Sequence, residues 1–267
     1  MSDRVVVRME GHVADVRMDR GDKLNALDLA MFEGLIATGR ALAQEPGLRA
    51  VVLSGNGRAF SAGLDFASFM ALAAEGGEAN LFDRTRGGPA NVAQLAGYVW
   101  KELPVPVIAA IHGACYGGGL QIAAGADIRI VHPEAKLSIR EMHWGLVPDM
   151  SGTRTLKHVL RQDVLKELTF TARIVSGTEA VSLGLCTRAS EDPYADAMTL
   201  AAQIAASSPD AVRAAKKLID RNYLIPDDET GLALEEELQR TLLKTPNQIE
   251  AVTANLEKRP ARFIDPQ

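Results

Sequence analysis

The sequence predicts an α/β layered fold closed by a helical C-terminal lobe, and three observations carry that prediction. Apolar strand-like runs give way to a glycine turn and then a helix-like stretch after residues 53, 111 and 130, a cadence that suits alternating α/β layers. Residues 4–20 alternate apolar and polar on either side of Glu10-Gly11-His12, which reads as a hairpin. From about Asp163 onward the pattern is almost wholly helical. At roughly 150 residues per domain, 267 residues make one large domain or two small ones. Composition shifts near "ASEDPYADA" (189–197). The division expected is therefore a core over 1–195 and a helical lobe over 196–267.

The elements follow in order. After the hairpin, Asp28 stands as an N-cap, and Met31, Leu35, Ile36 and Leu42 recur at helical spacing until Pro46-Gly47. "LRAVVLSG" (48–55) is a short buried strand closed by Gly55-Asn56-Gly57. "FSAGLDFASFMALAA" turns into a helix. Residues 75–91 are Gly-rich and charged, a surface segment that suits a lid. A helix over 92–101 leads to a buried strand over 105–113, with Pro104 and Pro106 at its start. "GGGLQIAAGA" is helical, and "DIRIVH" and "AKLSIRE" are strands. Residues 213–221, 229–243 and 248–258 are amphipathic helices of the lobe, a candidate oligomerisation surface.

Composition excludes several classes. A net charge of −5 argues against nucleic-acid or anionic-membrane partners, which call for a basic surface. Cys115 and Cys186 lie far apart and form neither CxxC nor zinc spacing, so they read as reduced, buried thiols. The five histidines include no pair at i, i+4, so the HExxH pattern is absent. The start, "MSDRVVVRME", resembles no export signal, and no apolar run approaches the ~20 residues that span a bilayer. The expectation is a cytoplasmic protein with neither a metal nor a membrane span.

Three stretches could carry chemistry. In "GACYGGGLQ" (113–121), three glycines open a helix. The first turn of a helix has unpaired N–H groups, and bare backbone there lets a phosphate or an oxyanion approach. The Walker lysine and the GxGxxG spacing are both missing; the glycines would equally serve close packing. In "GRAFSAGLDF" (57–66), Ala62-Gly63-Leu64 offers a second bare N–H ahead of a helix that Asp65 can cap. Two such turns converging on one carbonyl oxygen would make an oxyanion hole. In "LSIREMHWGLVPDMSGTR" (137–154), Glu141 and Asp149 share a polar loop. Near one apolar cavity their pKa values would separate, which suits proton transfer. As solvated acids they would instead pair with Arg140 or Arg154.

Six segments occur in one order along nearly the whole chain: "NALD", "GRAFSAGLDF", "GACYGGGLQIAAGADIRI", "EMHWGLVPDMSGT", "TARIVSGTEAVSLGL" and "KRPARF". Together they resemble the enoyl-CoA hydratase/isomerase (crotonase) superfamily. The resemblance implies a crotonase-like spiral of ββα turns with a C-terminal helical lobe, assembled as a homotrimer or hexamer. It implies an acyl-CoA thioester as substrate, fatty acid metabolism as setting, and no separate cofactor, coenzyme A being part of the substrate. Carried over by position, the oxyanion donors are the N–H groups of Leu64 and Gly118. Phe60 and Ala62 lie on the adenine-contacting edge. Lys23 and Arg58 would meet CoA phosphates, and Ala26 would also contact the CoA. Phe263 matches an aromatic residue that covers the adenine of a neighbouring subunit, although the lysine that often follows it is absent.

The acids discriminate between reactions. Hydratases of the family hold water between two glutamates, at the positions of Gln121 and Glu141. Gln121 cannot trade a proton, and loss of a general acid or base costs ~10²–10⁴ in rate. Double-bond isomerisation needs one carboxylate, and Glu141 stands where the family's single-acid isomerases keep it. The spacing to Asp149 resembles dienoyl-CoA isomerases, whose additional aspartate would fall at Gln121. Isomerisation of an enoyl- or dienoyl-CoA is thus expected, with Glu141 as base and Asp149 as second acid. The alternatives are a 2-enoyl-CoA hydratase with Glu141 as main acid/base, and a non-catalytic acyl-CoA-binding protein. Leu81, Phe82, Leu95 and Trp100 are expected to set acyl-chain length, and Trp144 to wall the cavity or sit in the core.

Overall fold

The computed structural model describes residues 3–74, 81–85 and 88–266. Its main sheet starts with the hairpin β1 (Val5–Glu10) and β2 (Val13–Met18), antiparallel with Val5 opposite Met18. Strands β3 (Ala50–Gly55), β4 (Val107–Ile111), β6 (Ile128–Val131) and β9 (Arg188–Ala189) then add in parallel, in the order β1-β2-β3-β4-β6-β9. A second sheet contains β5 (Ala114–Tyr116), β7 (Lys136–Ser138) and β8 (Val175–Ser176), in that order. Each turn of the chain thus runs from the large sheet to the second layer and on to a helix. The link Ser61 to Cys115 extends the second layer beyond β5 by one bridge.

Strand side chains alternate between faces. Val51, Leu53, Val107, Ala109 and Ile111 point into the larger core. Val13, Ala50, Val52, Ile108, Ala110 and Ile130 point into a second core on the opposite face. Both faces are covered, so β3 and β4 read as unbroken apolar runs instead of alternating ones. The larger core is closed by α1 (Leu29–Ala43), α3 (Val92–Glu102) and α4 (Gly118–Ala124), and the shorter helices α5 (Gly152–Leu156), α6 (Gln162–Thr171) and α7 (Gly177–Ser182) follow. Helices α3 and α4 pack so closely that a Cβ on Gly125 would stand 2.2 Å from the Gly97 carbonyl oxygen.

Helix starts follow the capping chemistry. Asp28 accepts the Met31 N–H at 2.9 Å, and Asn91 with Gln94 forms a capping box. Helices α8 (Pro193–Ala205), α9 (Pro209–Asn222) and α11 (Pro246–Glu257) all begin on proline, where no N–H is needed. Helix α10 (Asp228–Leu242) lies against α9. Lys216 on α9 reaches Asp127 at 2.7 Å, and Lys101 on α3 reaches Asp220 at 2.7 Å, anchoring the lobe to the core.

Three sequence expectations change. The strand placed over 105–113 is confined to 107–111. The region after Asp163 is not wholly helical, because β8 and β9 complete the two sheets; two-residue strands leave no periodic signal. The boundary between 195 and 196 falls inside α8, whose Ala197, Ala201 and Ala205 build the second core. Helix α8 is therefore part of the sheet's outer layer. The remaining helices, from α9 on, stand beyond it.

Candidate active site

The loop after β3 is fastened from within by a residue the sequence reading passed over. Asn25, fully buried at φ 54°, accepts the Arg20 N–H at 2.8 Å. Its amide donates to the carbonyls of Asn56 and Ala59, both at 2.9 Å. Ser61 donates to the Asn25 carbonyl at 2.8 Å. Arg20 reaches Asp65 at 2.7 Å and holds that carboxyl down to about 2. Asp65 also accepts from Ser68 N–H at 3.2 Å, capping α2 (Phe66–Ala74) as its position suggested. Asparagine beside "ALD" was the only sequence signal for this clasp.

Between these fixings the backbone turns at Gly63, with φ 88°, a region that side chains other than glycine disfavour. A Cβ there would lie 2.7 Å from the Tyr116 carbonyl and 3.8 Å from the Gly118 nitrogen. The turn that carries Leu64 therefore lies directly against the start of α4. Leu27 N–H bonds the Gly63 carbonyl at 2.8 Å, and Asp65 N–H bonds the Leu27 carbonyl at 3.0 Å. Among the described residues, neither the Leu64 N–H nor the Gly118 N–H has an acceptor. Gly117 takes φ 49° to start the helix, and its N–H is spent on the Ser138 carbonyl at 2.9 Å. Gly119 serves packing instead: a Cβ there would stand 2.6 Å from that of Ser61. The three glycines thus divide into a turn, an open donor and a close contact.

Glu141 opens a 3-10 turn, Glu141–Trp144, and is buried. Its Oε1 accepts from Gln121 Nε2 at 2.5 Å, and its Oε2 is buried with no partner among the described residues. Burial pushes the Glu141 pKa up, and the Asp149 charge adds to the rise, while hydrogen bonds, including that from Gln121, oppose it. No pairing with Arg140 or Arg154 occurs: Arg140 donates to the Ala172 carbonyl at 3.0 Å. Asp149 is exposed as a residue, yet it lines the same cavity as Glu141, and desolvation pushes its pKa up too.

These groups meet in one cavity of about 390 Å³. Ala62, Gly63, Leu64, Gly117, Gly118, Glu141 and Asp149 line it, with Phe66, Phe69, Leu81, Phe82 and Trp144 as its apolar walls. Trp144 is 53% exposed and stacks on Phe66 with centroids 4.1 Å apart, so it is a wall, not core. An apolar groove of about 230 Å³ along Leu29, Phe32 and Phe69 continues past Leu64.

Other expected residues lie elsewhere. Gln121 is 2% exposed and stands behind Glu141, not on the cavity wall. Phe60 is wholly buried, its N–H bonded to the His112 carbonyl, so its side chain is part of the core. Leu95 and Trp100 are core residues of α3 and line no part of the cavity. Leu81 and Phe82 do line it; positions 75–80 and 86–87 of the expected lid lie outside the described residues. Lys23 and Arg58 are exposed and outside the cavity. Ala26 presents its carbonyl to Arg20 at 3.0 Å. Phe263 is half-buried in the C-terminal tail, with its carbonyl held by Arg49 at 3.1 Å. Cys115 and Cys186 are both free and buried. Among the described residues, no helix is long and apolar enough to cross a membrane.

The spiral of ββα turns is the fold that the resemblance implied, and it encloses a cavity lined by two acids and two open backbone donors. The family profile described as Enoyl-CoA hydratase/isomerase matches residues 8–266, and the chain belongs to that family of enzymes. It is 32% identical over 275 residues to the mitochondrial Delta(3,5)-Delta(2,4)-dienoyl-CoA isomerase of Mus musculus, covering 97% of this chain and 81% of that one. It is 36% identical over 168 residues to the mitochondrial methylglutaconyl-CoA hydratase of the same species, covering 61% of this chain and 53% of that one. Among solved structures, an enoyl-CoA hydratase from Bacillus anthracis superposes with a TM-score of 0.88 at 28% identity, covering 98% of this chain and 99% of that one.

Proposed function

We propose that the protein moves a carbon–carbon double bond along an enoyl- or dienoyl-CoA thioester. In this reading the thioester oxygen sits between the N–H groups of Leu64 and Gly118, which take up the negative charge of the enolate. Glu141 removes a proton from C2. The double bond shifts toward the thioester, and a proton returns to the far end of the shifted system, at C4 of an enoyl chain or further out on a dienoyl chain. Asp149 is the second acid, placed to serve the more distant carbon. The observation that carries this reading is the direction of Gln121. Its amide is spent behind Glu141, so the cavity holds one buried carboxylate and Asp149, not two glutamates gripping a water. Both acids are lifted by desolvation, which brings a carboxyl nearer to the range where it exchanges protons efficiently.

The same reading takes coenzyme A as part of the substrate, with no separate cofactor. Lys23 and Arg58, as exposed cations, are proposed to meet its phosphates, and Ala62 to lie on the edge that meets its adenine. Phe60 would contribute backbone alone. Phe263 is proposed to meet the adenine at a subunit boundary. A homotrimer or hexamer is supported by the apolar side chains left open on the last helices: Ile219, Tyr223, Leu232 and Leu256 are 58–80% exposed. Sedimentation equilibrium is expected to give three or six times the 28.6 kDa chain mass; a monomer would overturn the assembly. Two free buried thiols support a cytoplasmic setting.

One incubation in D2O tests the reaction. The protein is given 2-enoyl-, 3-enoyl- and 3,5-dienoyl-CoA, and products are followed by mass and ultraviolet absorbance. Deuterium uptake with a change of conjugation and no added water is expected. Addition of water would instead establish a 2-enoyl-CoA hydratase. Tight binding with no exchange at C2 would establish a non-catalytic acyl-CoA-binding protein.

A further inference from the structure

The orientation of the Gln121 amide is not free. Two backbone N–H groups, those of Met150 at 2.8 Å and Gly152 at 2.9 Å, converge on its Oε1. Both are donors only, so the atom they share must be the oxygen. The NH2 group is thereby turned to Glu141 Oε1. Space enforces the same geometry: a Cβ on Gly152 would lie 2.7 Å from Gln121 Cγ. Gln121 sits on α4, one turn after the open donor of Gly118, and its two acceptor contacts bracket Ser151, just past Asp149. One side chain therefore joins the helix of the proposed oxyanion site, the buried acid and the loop of the second acid.

We infer that Gln121 is a positioning residue: it holds Glu141 by Oε1, leaves Oε2 to exchange protons with the substrate, and fixes the distance between Glu141 and the Asp149 loop. The inference rests on Glu141 being the base. It also accounts for an amide at this place. A glutamate at 121 could still accept from Met150 and Gly152, but its second oxygen would press against Glu141 Oε1. Two carboxylates that close must share a proton. The amide supplies a permanent donor instead, and keeps the pair from trapping the proton that the reaction has to move. The titratable and charged groups around Glu141 are Asp149 across the cavity, and Arg140 and His143 on its own turn. The backbone at Gly117, Met150 and Gly152 brings none.

The test reads Glu141 directly. Carboxyl carbons of ¹³C-labelled glutamate are titrated by NMR in the wild type, Gln121→Met and Gln121→Glu, with Glu141→Gln assigning the signal. Loss of a donor to a carboxylate raises its pKa, so the Gln121→Met midpoint is expected to rise by about 1–2 pH units. In Gln121→Glu the two acids are expected to titrate as a coupled pair in two steps. Gln121→Glu keeps the contacts to Met150 and Gly152, so it remains folded even where Gln121→Met does not. In both, the acid limb of kcat/KM should follow the NMR midpoint, with kcat lowered on the order of 10²-fold and KM little moved. An unshifted Glu141 midpoint in both variants would overturn the inference. A shifted midpoint in a protein that turns over none of the three thioesters would leave Gln121 in its positioning role and remove Glu141 as the base.

Discussion

Glu141→Gln is expected to lower isomerisation by ~10²–10⁴-fold while leaving the thioester bound. The variant is close to isosteric, and its amide oxygen can still accept from Gln121, so the geometry of the loop is retained. What disappears is the proton acceptor alone. C2 deuterium exchange in D2O is the measurement, and exchange at the wild-type rate would remove Glu141 from the mechanism. Asp149→Asn separates the two acids: C2 exchange should persist while delivery to the distant carbon of a dienoyl chain is lost.

The same variant has a second consequence, of opposite sign. Glu141 has a folded pKa above its unfolded one. Between those two values the folded chain binds more protons, so stability falls as pH rises through a window that opens near the ordinary glutamate pKa of about 4.3. Above the window a buried carboxylate with an unpartnered Oε2 is a standing cost to the fold. Glu141→Gln removes that titration. Its Tm is expected to exceed the wild-type value at neutral pH and to depend less on pH across the window itself. Gain of stability together with loss of rate is the signature of a group retained for chemistry.

The largest stability effect is expected at Phe60. Phe60→Ala empties a wholly buried aromatic site and should cost about 3–5 kcal/mol, measured by denaturant unfolding. The KM for CoA thioesters, measured below the unfolding midpoint, should stay near the wild-type value. A stable Phe60→Ala protein with a raised KM would return Phe60 to the ligand edge. This residue marks the limit of motif matching: "GRAFSAGLDF" locates the segment, but a run of letters does not tell a backbone contact from a side-chain contact. Burial decides it, and burial is set by core residues from the rest of the chain.

The same limit recurs elsewhere. Local signals were legible, since Asp28 caps α1, the hairpin closes over Gly11, and the glycine turns after β3 and β4 lie where their residue types place them. The convergence of Glu141 and Asp149 on one cavity was legible as a possibility, through family spacing. The direction of Gln121 was not, because it is fixed by Met150 and Gly152, 29 and 31 residues further on. Asn25 was missed for a similar reason. Its side chain's three partners are backbone groups of Arg20, Asn56 and Ala59, and backbone groups leave no mark in a sequence. Leu95 and Trp100 were misplaced because the periodicity of α3 shows an apolar face without saying whether core or cavity lies opposite.

The C-terminal tail draws the far end of the chain back to its beginning. Arg49, 7% exposed, holds the Ala205 carbonyl at 3.1 Å, the Phe263 carbonyl at 3.1 Å and Asp265 at 2.8 Å. His12 stands 3.6 Å from the same aspartate. A guanidinium buried that deeply is tolerated only while its partners are present. The last few residues therefore act as a closing stitch whose removal would strand a charge beneath the second core.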